Sequence, residues 1–202
     1  MLSKGRWLYL PLLMLKYKYR GGDNMKIVYR YHDLNRKDKI KEIIKPIMNK
    51  NLIIIGIGTD LITGDCLGPL VGQFVKEQTD LEVLGYFGNL VTATNVAQVQ
   101  ASLDKSKYAL VIDASISISS TEYVEDIVYR DRGLKPGSGI QREFPRTGTH
   151  SLTGIVKVSQ KELNMNQFMD SNIRLGMVYS MARTISEAII ECYKEVVVDN
   201  QK

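Results

Sequence analysis

The sequence predicts an α/β protein, a three-layer α/β/α sandwich around a mainly parallel central sheet. Two observations carry this. Leu52–Ile57 and the stretch "KYALVIDAS" (107–115) are continuous apolar runs, the pattern of strands buried on both faces. Between and after them lie segments with helical apolar spacing, and strands alternating with helices imply crossover units in a parallel sheet.

Taken in order, residues 26–32 alternate as a strand. Ile40, Ile43, Ile44 and Ile47 then mark a helix that Pro46 shortens. After the strand Leu52–Ile57, a stripe of Leu67, Leu70, Val71, Phe74 and Val75 predicts a helix from Cys66 to about Gln78. Leu81–Phe87 reads as a strand, Asn95–Lys105 as a short helix, and 107–115 as a second buried strand. The alternating "STEYVEDIVYRDR" (120–132) suits a strand nearer an edge. Residues 133–154, "GLKPGSGIQREFPRTGTHSLTG", form a Gly/Pro-rich stretch without period, the kind of long loop that carries function. Asn172–Val196 is the clearest helix, with Val178, Met181, Ala182, Ile185, Ile189, Cys192 and Val196 on one face.

The 202 residues, 44% of them apolar, suffice for one core. The domain assignment is a leader over 1–24, unstructured or a misassigned start, and one peptidase-like domain over 25–202. The net charge of +5 sits at the front. Residues 1–30 hold seven basic side chains (Lys4, Arg6, Lys16, Lys18, Arg20, Lys26 and Arg30) against Asp23, which leaves the rest close to neutral. A basic face for nucleic acid is therefore not expected. The apolar run Trp7–Leu15 is far short of the ~20 residues a membrane helix needs. No membrane partner is expected. Cys66 and Cys192 form no CxxC pair, so neither a zinc ligand set nor a disulfide framework is indicated.

Sites in such sheets lie beyond the carboxyl ends of the strands. The loop "GIGTDLITGDCLG" leaves the first buried strand there. It lacks the lysine of a phosphate loop and the third glycine of a dinucleotide fingerprint, and Asp60 and Asp65 would repel a pyrophosphate. Asp65 taken alone fits a helix cap, and Asp113 a turn tie at a strand end. If the two strands are neighbours, however, Asp65 and Asp113 share one crevice, where paired carboxylates do acid/base or metal chemistry. Helix-terminal N–H groups should then keep Asp65 ionised, while burial should raise the pKa of Asp113. A thiol alternative makes Cys66 the nucleophile and His150 its base, opposed by the charge of Asp65.

"GIGTDLITGDCLGPLVG", "VIDASIS" and "LKPGSGI…THSLTGIV", in that order over residues 50–195, resemble the spore-protease-related sporulation proteins of the YyaC family. That family is similar to the germination protease, which degrades small acid-soluble spore proteins, and more distantly to hydrogenase maturation endopeptidases. The resemblance implies the α/β/α sandwich with Asp65 and Asp113 as a catalytic pair. It also implies a protein or peptide substrate, spore proteins among them, and a place in the cytoplasm of the spore or forespore. The hydrogenase-processing relatives bind nickel through Glu, Asp and a later His, a third place that His150 would fill here. The two retained aspartates favour no metal and no cofactor. Gly137, Ser138 and Gly139 offer backbone N–H groups for an oxyanion, with His150 nearby. The alternative function is a catalytically degenerate relative that binds a peptide or partner in the same crevice. The substrate's scissile bond and the oligomeric state are not encoded legibly.

Overall fold

A computed structural model describes residues 18–21, 24–49, 51–136, 144–159 and 172–198. Its centre is a seven-stranded mixed sheet. The strands are β1 (Lys18–Gly21), β2 (Asn24–Tyr29), β3 (Ile53–Gly56), β4 (Glu82–Leu84), β5 (Ala109–Ser117), β6 (Ile127–Arg130) and β7 (His150–Val158). Their spatial order is β1-β2-β6-β7-β5-β3-β4. The half formed by β7, β5, β3 and β4 is parallel, as predicted. The half formed by β1, β2 and β6 runs antiparallel onto β7.

Helices α1 (Arg36–Ile44), α2 (Leu67–Gln78) and α4 (Leu175–Tyr193) cover one face, and the short α3 (Val96–Ser102) covers part of the other. The division follows from strand alternation. Ile54, Leu110, Ile112, Leu152 and Tyr129 point into the core shared with α1, α2 and α4. Ile53, Ile55, Ile57, Ala109 and Val111 point to the core shared with Val96 and Val99 of α3. Continuous apolar runs were needed because β3 and β5 are buried from both sides.

Pro46 ends α1, and the chain tightens into a 3₁₀ turn at Lys45–Ile47. β4 is shorter than the run 81–87 because Gly85 takes a positive φ of 76° and a turn closes from Tyr86 to Asn89. Three other differences from the sequence reading are larger. First, β6 is no edge strand: it lies between β2 and β7, with Ile127, Val128 and Tyr129 buried. Second, the "GTHSLTG" end of the supposed loop is the start of β7, a central strand. Third, Lys18–Gly21, within the segment assigned as leader, pairs with β2. Among the described residues, no helix is long and apolar enough to cross a membrane.

Candidate functional site

Asp65 ends a 3₁₀ turn, Thr63–Asp65, directly before α2. It does not cap that helix: the N-cap position is Cys66, and no side chain makes a capping bond there. The loop from β3 instead folds back so tightly that the Thr59 amide donates to the Asp65 carbonyl oxygen at 3.1 Å. Gly58 makes this possible. Its φ is +139°, and a Cβ on it would stand 1.9 Å from the Asp65 carbonyl oxygen. Behind the turn, α2 enters against the sheet through Gly68, where a Cβ would stand 2.2 Å from the Ile57 carbonyl oxygen and 2.8 Å from that of Ile112. Two close backbone approaches thus seat the Asp65 turn over the carboxyl end of β3, with α2 entering against Ile112 of β5.

Asp113 lies within β5 rather than at its end. The β3–β5 ladder stops at Gly56 opposite Ile112, and Asp113 is the next residue, still paired with Thr153 of β7. β5 therefore runs past its neighbour, and its first residue beyond the ladder is the carboxylate. By alternation Asp113 shares the face of Val111, away from α1, α2 and α4.

Burial pushes the Asp65 carboxyl up to about 7, against the opposing pull of the Thr59 N–H. The expectation that helix-terminal N–H groups would hold Asp65 ionised is thus reversed: Asp65 is not the cap of α2, and desolvation outweighs the one opposing N–H, that of Thr59. Asp113 is raised well above the ordinary carboxylate range, first by burial and then by the charge of Asp65, with the Ala114 N–H acting the other way. The structure therefore brings Asp65 and Asp113 into electrostatic contact.

His150 is elsewhere. It opens β7 opposite Leu110, three residues before the Thr153 that pairs with Asp113, which is roughly 10 Å along the strand. Its ring lies against Tyr108 (5.6 Å between centroids) and Tyr129 (6.2 Å), and Tyr129 belongs to the core on the other face. Burial lowers its pKa. The residues consequently do not fit a Glu/Asp/His-type nickel site, and among the described residues no three His, Cys, Asp or Glu are grouped to hold a metal ion. The Cys66 thiol of the nucleophile alternative is buried and pushed up by burial, Asp65 and Asp60, which works against a thiolate. Gly137, Ser138 and Gly139 lie outside the described residues.

Two residues beside Asp113 escaped the sequence reading. Thr153, its neighbour across the β5–β7 ladder, is buried and accepts a hydrogen bond from Arg130 Nη1 of β6 at 3.1 Å. The available signal was the alternation Leu152-Thr153-Gly154-Ile155-Val156, hidden by its polar and glycine members.

A mixed sheet, parallel over β7, β5, β3 and β4 and flanked by helices on both faces, defines the α/β class. Within that class, the chain belongs to the family described as "Protein of unknown function (DUF1256)", which matches residues 28–188. It is 34% identical over 143 residues to "Uncharacterized protein YyaC" of Bacillus subtilis (strain 168), covering 69% of this chain and 68% of that protein. Among solved structures it is similar to the [NiFe] hydrogenase maturation protease HycI of Thermococcus kodakarensis KOD1. That likeness has a TM-score of 0.47 and 14% identity, over 75% of this chain and 99% of the other.

Proposed function

We propose that this protein is a sporulation-associated peptidase that hydrolyses peptide bonds with Asp65 and Asp113, in the cytoplasm of the developing spore. The observation that carries this reading is a pair of desolvated carboxyls, Asp65 in the turn after β3 and Asp113 in β5 just past the β3–β5 ladder, with the charge of Asp65 acting on Asp113. The motif resemblance to germination-protease-like proteins supplies the reaction class and the setting.

The two environments divide the roles. Near neutral pH, Asp65, with its pKa of about 7, is ionised in a substantial fraction of molecules, whereas Asp113 retains its proton. Asp65 is then the general base and Asp113 the general acid. Asp65 takes a proton from water as the water oxygen bonds to the peptide carbonyl carbon. Asp113 gives its proton to the departing nitrogen as the C–N bond breaks. The products are a carboxylic acid and an amine, and the proton that Asp65 took is released as Asp113 regains one, through solvent, which restores the starting pair.

Incubation of the purified chain with a spore-protein extract, read by mass spectrometry for new peptide termini, tests this. The expected result is a set of termini that neither Asp65→Asn nor Asp113→Asn generates. Termini produced equally by both variants would sink the reading. A catalytically degenerate binder instead gives none with any of the three proteins and retains peptide affinity in both variants.

A further inference from the structure

The face of the sheet that carries Asp113 is polar beyond it. Register places Asp113, Thr153 and Val128 in one row across β5, β7 and β6, and Arg130 two residues further along β6 on the same face. Arg130 is partly buried, and desolvation lowers its pKa. A guanidinium has five N–H donors, yet among the described residues its hydrogen bond is to the neutral hydroxyl of Thr153, and no carboxylate forms an ion pair with it. Glu122 acts on it only at longer range, and that carboxylate is engaged by Lys26 and by the Ser117 hydroxyl. Asp113, for its part, responds to Asp65 and not to Arg130. A desolvated cation held by one neutral acceptor is costly unless an anion completes it.

We propose that Arg130, braced by Thr153, is a carboxylate-binding subsite for the peptide, taking an acidic side chain or the C-terminal carboxylate of the chain. The fork of a guanidinium matches a carboxylate in two parallel hydrogen bonds. Thr153 lies about 4.8 Å from Asp113 across the ladder. Arg130 is bonded to that same Thr153 at 3.1 Å, so the anchor stands on the Asp113 face of the sheet, one strand over. The position of the scissile bond rests on the peptidase reading; the carboxylate preference does not.

The test uses the full chain and four matched hexapeptide pools: Glu or Gln within the sequence, each with a free or an amidated C-terminus. Dissociation constants are measured by calorimetry and cleavage by mass spectrometry. Pools bearing a carboxylate should bind about tenfold or more tightly than the Gln/amide pool, as expected for a hydrogen bond to a charged group. Comparing the Glu/amide pool with the Gln/acid pool tells side chain from terminus. Arg130→Gln should abolish the preference, Arg130→Lys should keep part of it, and Thr153→Val should weaken it while leaving the guanidinium in place. Equal affinity for all four pools, no binding of any pool, or a preference retained in Arg130→Gln overturns the subsite. Carboxylate-dependent binding without cleavage leaves the subsite and removes the peptidase. Cleavage indifferent to the carboxylate does the reverse.

Discussion

The charge of Asp65 raises the proton affinity of Asp113, although the two stand on different elements, a 3₁₀ turn and the strand β5. A pair coupled in this way does not lose both protons together; the first to ionise delays the second. This ordering makes the carboxyls distinguishable in function.

The first prediction is a bell-shaped pH dependence of kcat/KM. Activity should rise as the pair loses its first proton near pH 7, the region to which Asp65 is shifted, and fall at higher pH as Asp113 ionises. Asp65→Asn should remove the charge that raises Asp113, so Asp113 should titrate at lower pH, followed by NMR of its carboxyl carbon. Each single Asn variant should lose at least about 100-fold in rate, the lower end of what a general acid or base supplies. Full activity in either variant, with an unchanged titration of the other carboxyl, would contradict the pairing.

A second prediction concerns the loop that places Asp65. Gly58→Ala puts a Cβ 1.9 Å from the Asp65 carbonyl oxygen at a φ of +139°. The backbone strain alone costs about 1–3 kcal/mol, and the turn must move to relieve the contact. Chemical denaturation should show that loss, and turnover should fall more than stability accounts for, because Asp65 shifts relative to Asp113. Gly88→Ala is the control. It also has a positive φ, of 86°, but nothing lies within 4 Å of its added Cβ. It should lose stability and keep turnover.

Much of this arrangement was legible, and the reason is burial. β3 and β5 are covered on both faces, so their runs are apolar throughout, and the aspartates that follow stand out against them. β7 was illegible because its composition imitates a loop. Gly154 is glycine because Leu67 Cδ2 would lie 2.5 Å from any Cβ and Met181 Sδ 3.1 Å. Ser151 and Thr153 are polar because they make buried hydrogen bonds, Ser151 to the Arg132 carbonyl and Thr153 to Arg130. Packing demands on one face and polar partners on the other erased the strand signal. Arg130 was missed for a related reason, since a charge in an alternating strand reads as solvent-facing.

A third prediction separates β1 from the core. β1 is a four-residue edge strand whose only described ladder is to β2, whereas β2 is held independently by β6 and by the Met25 amide donating to Asp131 Oδ1 at 2.7 Å. A chain beginning at Met25 should still unfold in one cooperative transition. Loss of the edge ladder should lower Tm by about 2–4 °C, which corresponds to roughly 1 kcal/mol for a chain of this size. A broad or two-step transition would show that residues before Met25 complete the core.

The last prediction follows from the sign of the shifts on the acidic pair. An aspartate that binds its proton more tightly folded than unfolded favours the folded state at low pH. Its unfolded pKa is about 3.9, and Asp65 folded is near 7. Between those values the folded chain binds more protons than the unfolded one, so this contribution to stability falls as pH rises, and it levels off only above the folded pKa. Asp113 extends the same fall to higher pH. The usual stabilisation of paired carboxylates above their pKa is therefore inverted here. Tm should decline from pH 5 to pH 8 more steeply in the native chain than in Asp113→Asn, and at pH 8 that variant should be the more stable protein. An Asn at 113 has no charge to bury, and its removal also lets Asp65 ionise with less repulsion. Parallel Tm-against-pH curves for the two proteins would mean that Asp113 is solvated in the fold and that the pair does not share a crevice.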